Sequence, residues 1–319
     1  MDNSITVTIC CLTYNHEKFV RQCLDGFIIQ KTNFHFEVLV HDDASTDRTQ
    51  DIIREYETNY PDIIKPIFQK ENQYSKGNRA ILAKFCYPQA KGKYIAICEG
   101  DDYWIDPHKL QKQVDFLENH PEYAMVYTYS KVYDQSRCKI EDYLIGREFK
   151  DFNDLLITNR IPTLTTCIRS NAIIKYVNEI KPEEQNWLMG DYPMWLWMAY
   201  HYKVKFFPEA TTIYRMLSES ASHSQSLKKQ ENFDLSVIAI TTFFINKYKI
   251  IPTKQYKEAV NSTYYHYYEI YVHRGNYKKA RYYAKNIDLN FATTRIQKKI
   301  RLFPFRYVKF IIWNLFNIH

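Results

Sequence analysis

The first 130 residues switch repeatedly between two rhythms. Short apolar stretches have the length of strands: Ile5-Thr-Val-Thr-Ile-Cys-Cys-Leu12 alternates, and Tyr94-Ile-Ala-Ile-Cys98 is a continuous apolar run. Between them run segments with apolar residues three or four apart; Leu110, Val114 and Leu117 share one helical face. The pattern predicts strands over 5–12, 36–41, 63–68, 94–98 and 124–129, and helices over 17–29, 47–59, 78–90 and 107–119. Strand–helix alternation implies a parallel sheet with helices on both faces.

Residues 130–160 are less regular and are expected to cross the face of the sheet that carries the chemistry. A strand over 162–169 and a helix over 170–178 follow; Gly190-Asp191-Tyr-Pro193 then opens a helix that runs to His201. Two short strands, 203–207 and 210–216, close this part. From about 225 onward only helical patterning remains, with a hairpin over 264–287 turning at Gly275-Asn276 and no longer internal repeat. The expected division is an α/β domain over 1–220 and a helical region over 221–319.

Composition narrows the picture. With 319 residues, 45% of them hydrophobic and only 7 glycines, the chain is long enough for one large domain plus an appendage and is not of low complexity. Its 7 cysteines are odd in number, show no Cys-x-x-Cys spacing and fall mostly inside strands, so a reduced, cytoplasmic setting is expected. The N-terminus has no basic leader, and no apolar run approaches the ~20 residues that cross a bilayer. The net charge is +7, and eleven Lys/Arg against one acid, Asp288, lie between Arg274 and His319. Charge of that kind, mixed with bulky apolar residues over Arg295–Phe316, suits either a docked helix or an in-plane helix on anionic lipid. No nucleic-acid module accompanies it, so no nucleic-acid partner is expected.

Carboxylates supply the candidate chemistry. Strand 94–98 runs into Glu99, Asp101 and Asp102, and strand 36–41 runs into Asp42, Asp43 and Asp47. Like charges at that density resist burial unless a cation sits among them. Two acidic strand ends in one α/β chain point to a single crevice at the carboxyl edge of the sheet.

Four motifs in order, Thr8-Ile-Cys-Cys-Leu-Thr13-Tyr-Asn15, His41-Asp-Asp43-Ala-Ser-Thr-Asp47, Glu99-Gly-Asp101-Asp102 and Gly190-Asp191, resemble the signature of family 2 glycosyltransferases over residues 5–216. The resemblance implies a GT-A fold, a Rossmann-like mixed sheet with helices on both faces, here followed by an all-helical C-terminal appendage. It also implies inverting transfer from a UDP-sugar, with Mn²⁺ or Mg²⁺ as cofactor, to a surface-polysaccharide or lipid-linked glycan at the inner face of the membrane. By the same resemblance Thr13, Tyr14 and Asn15 cradle base and ribose, and Asp43 accepts from the uracil N3–H. Asp101 contacts ribose and shares with Asp102 the metal and diphosphate, and Asp191 is the catalytic base. The family often carries Asp at the position of Glu99, and His at that of Leu217; His223 is the nearby substitute.

Each assignment has a plainer counterpart. Asp191 and Asp43 suit helix caps, with Asp47 or Thr46 the better cap of the helix over 47–59. Arg79 and Lys84 meet either phosphate or water. Trp104 and Trp187 are preferred over Trp195 and Trp197 as acceptor contacts, although tryptophans near helix starts also serve as core. Two other functions compete: a nucleotidyltransferase, which should carry a glycine-rich loop where this chain has Thr13-Tyr-Asn-His-Glu17, and a non-catalytic nucleotide-sugar-binding scaffold.

Overall fold

A computed structural model of the chain describes residues 4–218 and 226–302. Two compact units divide it, 1–236 and 237–319. In the first unit the elements are β1 (Ile5–Thr13), α1 (Val20–Ile28), β2 (His35–Asp42), α2 (Thr49–Asn59), β3 (Ile64–Phe68), β4 (Tyr94–Glu99) and β5 (Tyr103–Trp104). They continue as α3 (Lys109–Asn119), β6 (Tyr123–Asp134), β7 (Lys139–Ile145), α4 (Phe152–Ile157), β8 (Cys167–Arg169), α5 (Ser170–Ile180), α6 (Asp191–His201) and β9 (Lys203–Met216).

Among the described residues, nine strands form one mixed sheet in the order β3-β2-β1-β4-β8-β6-β9-β5, with β7 hydrogen-bonded to β6. The β3-β2-β1-β4 half is parallel, and β8 runs antiparallel to both β4 and β6. From β1 the chain moves to one side for β2 and β3 and reaches the other side with β4. The strand order therefore reverses between β1 and β4, where open α/β sheets leave a crevice.

Alternation decides what covers each face. Val7, Ile9, Cys11, Val38, Val40, Tyr94, Ala96 and Cys98 point to one face and meet Val20, Cys23, Leu24 and Phe27 of α1, Ile53 of α2, and Leu110, Val114 and Leu117 of α3. Each fully buried aliphatic or phenyl side chain of this kind contributes about 1.5–3 kcal/mol. The other face of the parallel half is covered by the 82–86 turn, and α6 packs across β9. Lys109, the first residue of α3, is buried in the first core, its ammonium 4.0 Å from the centre of the Trp104 ring and 2.9 Å from Gln113 Oε1.

Four stretches differ from the sequence pattern. The helix expected over 78–90 is a π-turn, Leu82–Cys86, followed by a 3-10 turn, Tyr87–Gln89, where Pro88 has no N–H to continue the helical ladder although Tyr87 before it keeps α geometry. Only Cys167–Arg169 of the strand expected over 162–169 pairs. Ahead of it, Thr165 and Thr166 donate their hydroxyls to the carbonyls of Pro162 and Thr163 and wind a 3-10 turn. The two closing strands are one, β9, whose register against β6 slips at Pro208. Residues 130–160 are more regular than expected: β6 continues to Asp134, pairs with β7, and α4 follows.

The second unit holds the end of α7 (Leu227–Tyr248), α8 (Lys254–His273), α9 (Tyr277–Asn286) and α10 (Thr294–Arg301). The predicted hairpin is present: α8 and α9 join through Gly275, whose φ of +67° favours glycine. Tyr267 and Tyr271 lie against Tyr283 across it, with ring centres 5.4 and 5.9 Å apart. On α10, Ile296 is buried and Lys299 pairs with Glu269.

Candidate active site

The parallel registers bring the first three motifs to one edge. Thr13 stands opposite Asp42, and Leu12 opposite both His41 and Glu99. Beyond the strand ends, Asp43 N–H donates to Thr13 O (2.9 Å) and Gly100 N–H to Leu12 O (2.8 Å), so the three loops leave the sheet side by side. Gly100 is required there, because a Cβ would stand 2.5 Å from Thr13 Cγ2 and 2.9 Å from His16 Nδ1.

The β1 and β2 loops are stitched to each other. Asn15 and Ala44 adopt left-handed φ values of 54° and 60°. Asn15 N–H donates to Ser45 Oγ (2.8 Å), and Asn15 Oδ1 accepts from Thr46 N–H (2.8 Å). Thr13 Oγ1 donates to Asp42 Oδ2 (3.1 Å). Thr13 and Asn15 thus shape the loop through their own bonding, whereas Tyr14 is 44% exposed at the edge. Asp42 is the fully buried hub of the second loop, accepting from Ser45 N–H (3.0 Å) and Gln50 Nε2 (2.6 Å). Asp43 is 6% exposed; its Oδ1 accepts from Gln73 N–H (2.7 Å) and its Oδ2 from Tyr74 N–H (3.0 Å). Each oxygen keeps a further lone pair for a ligand. The entrance to α2 is set by Asp47, whose Oδ1 accepts from Thr49 N–H (3.0 Å).

Behind this edge lies a strongly unfavourable concentration of negative charge. Burial, then the charges of Asp101 and Asp191, push the Glu99 carboxyl up to about 8. The Asp102 carboxyl is held well above the usual range by burial, Asp101 and Glu99, against the pull of the Arg215 backbone N–H and guanidinium. Its Oδ1 accepts that N–H at 2.7 Å. Asp101 is partly exposed, and its carboxylate has no hydrogen-bond donor among the described residues. His16, at the same edge, is held below its ordinary value by burial, although Asp101, Asp47 and Asp42 oppose this. Buried acids whose ionised forms disfavour one another, with one free carboxylate beside them, fit a hard divalent cation that brings diphosphate oxygens as further ligands. Among the described residues no group of three His, Cys, Asp or Glu side chains could hold a metal on its own.

Asp191, far along the chain, comes near enough to Glu99 for its charge to raise that carboxyl. It is the first residue of α6, and Gly190, not Asp191, occupies the cap position. Its carboxylate serves no cap: Oδ2 accepts from Thr163 Oγ1 (2.9 Å) and Asn159 Nδ2 (3.4 Å). The first turn of a helix still favours its negative charge. The sequence pattern predicts a strand over 162–169 and so gives no sign of the 3-10 turn that presents Thr163, nor of Asn159 beside it.

The aromatic candidates resolve differently. Trp104 is a core residue and not an acceptor contact: it is 2% exposed, packs edge-on against Phe27 (4.8 Å) and donates Nε1–H to Leu164 O (2.9 Å). Trp195 and Trp197 are buried, and Trp187 is 8% exposed. Arg79 lies over the Tyr74 ring at 3.8 Å, beside the loop that Asp43 holds, and Lys84 faces Phe85. His223 and the basic residues beyond 302 lie outside the described residues.

Residues 8–177 match the family model described as glycosyl transferase family 2. An uncharacterized protein of Mycobacterium tuberculosis is 33% identical over 220 residues, covering 68% of this chain and 61% of the relative. The chain thus spans about three-fifths of the length of that relative. The Escherichia coli protein WfaP, named as a UDP-Glc:alpha-D-GlcNAc-diphosphoundecaprenol beta-1,3-glucosyltransferase, is 33% identical over 128 residues, 40% of this chain and 46% of WfaP. Among solved structures, S. aureus TarS 1-349 in complex with UDP-GlcNAc aligns with a TM-score of 0.52 at 15% identity, covering 82% of this chain and 81% of that one. At that identity the likeness is one of fold.

Proposed function

Because the chain belongs to glycosyl transferase family 2, we propose that it transfers a sugar from a UDP-sugar to a glycan acceptor of a surface polysaccharide or a lipid-linked intermediate, with inversion at the anomeric carbon. The observation that supports this best is the acidic turn Glu99, Asp101 and Asp102 at the carboxyl end of β4, beside the Asp43 loop and within range of the charge of the distant Asp191.

Asp43 would accept the uracil N3–H, with Tyr14 against the base. Asp101 and Asp102 would hold Mn²⁺ or Mg²⁺, Asp101 offering the unengaged carboxylate and Asp102 its Oδ2. A cation bound there neutralises charge on the departing nucleoside diphosphate. With Asp191 Oδ2 fixed by Thr163 and Asn159, Oδ1 is left to take the proton of an acceptor hydroxyl. The acceptor oxygen then attacks C1 as the C1–O bond to the diphosphate breaks on the opposite face, which inverts the centre. The acceptor class is supported by the name of the WfaP relative and by the basic residues Arg295, Lys298 and Arg301 of α10, which suit anionic lipid at the inner membrane face. Among the described residues no helix is long and apolar enough to cross a membrane.

The test is nucleoside diphosphate release from a panel of UDP- and GDP-sugars with Mn²⁺, using the wild-type chain and Asp191→Asn. The variant should bind UDP as tightly as wild type and lose at least about 10³-fold in turnover. Full turnover by Asp191→Asn would remove the base assignment, and pyrophosphate release from a nucleoside triphosphate would favour nucleotidyl transfer.

A further inference from the structure

We propose that Arg215 is a positioning residue that fixes the attitude of Asp101 and Asp102 toward the cation and diphosphate of a bound donor; this rests on the nucleotide-sugar reading above. Arg215 lies near the end of β9, 113 residues beyond Asp102, and is 6% exposed. Its backbone N–H binds Asp102 Oδ1, and its Nε–H donates to Asp101 O (2.7 Å), so both residues of the acidic turn are held from one side. The other guanidinium donors reach outward, Nη1 to Gln135 Oε1 (2.7 Å) just past β6 and Nη2 to Gln22 Oε1 (2.6 Å) on α1. Rings of Phe19, Tyr103 and Tyr133 surround the cation at 4.8, 5.3 and 5.4 Å.

Every hydrogen-bond acceptor of this guanidinium is neutral; among the described residues Arg215 has no ion pair with a carboxylate. A planar fork fixed in three directions transmits geometry, which a lysine ammonium of equal charge does not. Charge alone would repel a divalent cation and attract the diphosphate. Arg215→Lys, which keeps the charge and loses the fork, therefore separates positioning from electrostatics.

The experiment titrates the full chain with UDP in the presence of Mn²⁺, and with Mn²⁺ alone, by calorimetry, alongside donor KM, kcat and thermal melts. The variants are Arg215→Lys, Arg215→Gln and the milder Gln135→Leu. Positioning predicts at least a tenfold loss of UDP affinity in both arginine variants, a rise in donor KM larger than the fall in kcat, and a loss of a few-fold in Gln135→Leu with an unchanged melt. The proposal is overturned if Arg215→Lys binds within twofold of wild type, or if Arg215→Gln binds Mn²⁺ more tightly. It is also overturned if the arginine variants unfold while Gln135→Leu binds normally. A wild-type chain that binds neither UDP nor GDP would instead remove the underlying reading, and this proposal with it.

Discussion

Replacing Glu99 by Gln should stabilise the chain, and increasingly so as the pH rises. In the folded chain burial and the charges of Asp101 and Asp191 lift this carboxyl from 4.5 to about 8. Below pH 4.5 it is protonated whether the chain is folded or not. Between 4.5 and about 8 the folded state keeps a proton that the unfolded state has released, so stability falls as pH rises through that window and levels off above it. At about 1.4 kcal/mol per tenfold change in proton affinity, the full gap is roughly 5 kcal/mol. Solvent at the crevice mouth reduces the measurable part to about 2–4 kcal/mol. Urea unfolding of wild type and Glu99→Gln at pH 5, 7 and 9 measures it directly. The variant's advantage should be smallest at pH 5, under about 1 kcal/mol, largest at pH 9, and reduced by Mn²⁺, which favours the ionised wild-type acid. An advantage that is flat with pH would refute the idea that Glu99 is held uncharged by its neighbours.

Lys109→Met should also stabilise, by about 1–3 kcal/mol at pH 7, since a buried ammonium without a carboxylate partner is replaced by an apolar chain of similar volume. Burial pulls Lys109 down to about 8, so wild-type stability should rise between pH 8 and 10.5 and the variant's should not; a destabilised Lys109→Met in chemical unfolding would contradict this. Gly100→Ala forces Thr13 and His16 away from the β4 loop. It should weaken UDP binding at least tenfold in calorimetry while costing about 1–3 kcal/mol of stability, and unaltered binding would show that the loop tolerates the shift.

The parallel half of the sheet was legible because β1, β2 and β4 are short, mainly apolar stretches, two of which, β2 and β4, end in acids, and strand ends at one edge follow from parallel pairing alone. What could not be read were the features fixed by distant partners. Asp102 looked like a freely presented carboxylate, yet one oxygen is bound by the backbone of β9. Trp104 follows the acidic turn and resembled a sugar platform; Phe27 and Lys109, which enclose it, come from α1 and α3. The partners of Asp191 stayed hidden for a local reason, since threonine β-propensity suggested a strand where hydroxyl-to-carbonyl bonds wind a turn. Tyr214 and Arg215 fall inside the strand expected over 210–216, but nothing in their spacing indicates the fork made by Arg215.

The double duty of Asp43 limits how this chain could acquire a different donor. One side chain both faces the position proposed for the base and clamps the backbone at Gln73 and Tyr74. A mutation there meant to admit another nucleotide would loosen the neighbouring segment at the same time, so selectivity and architecture are inherited together. Room for retuning lies instead with exposed Tyr14, whose ring can be exchanged without unfastening anything else.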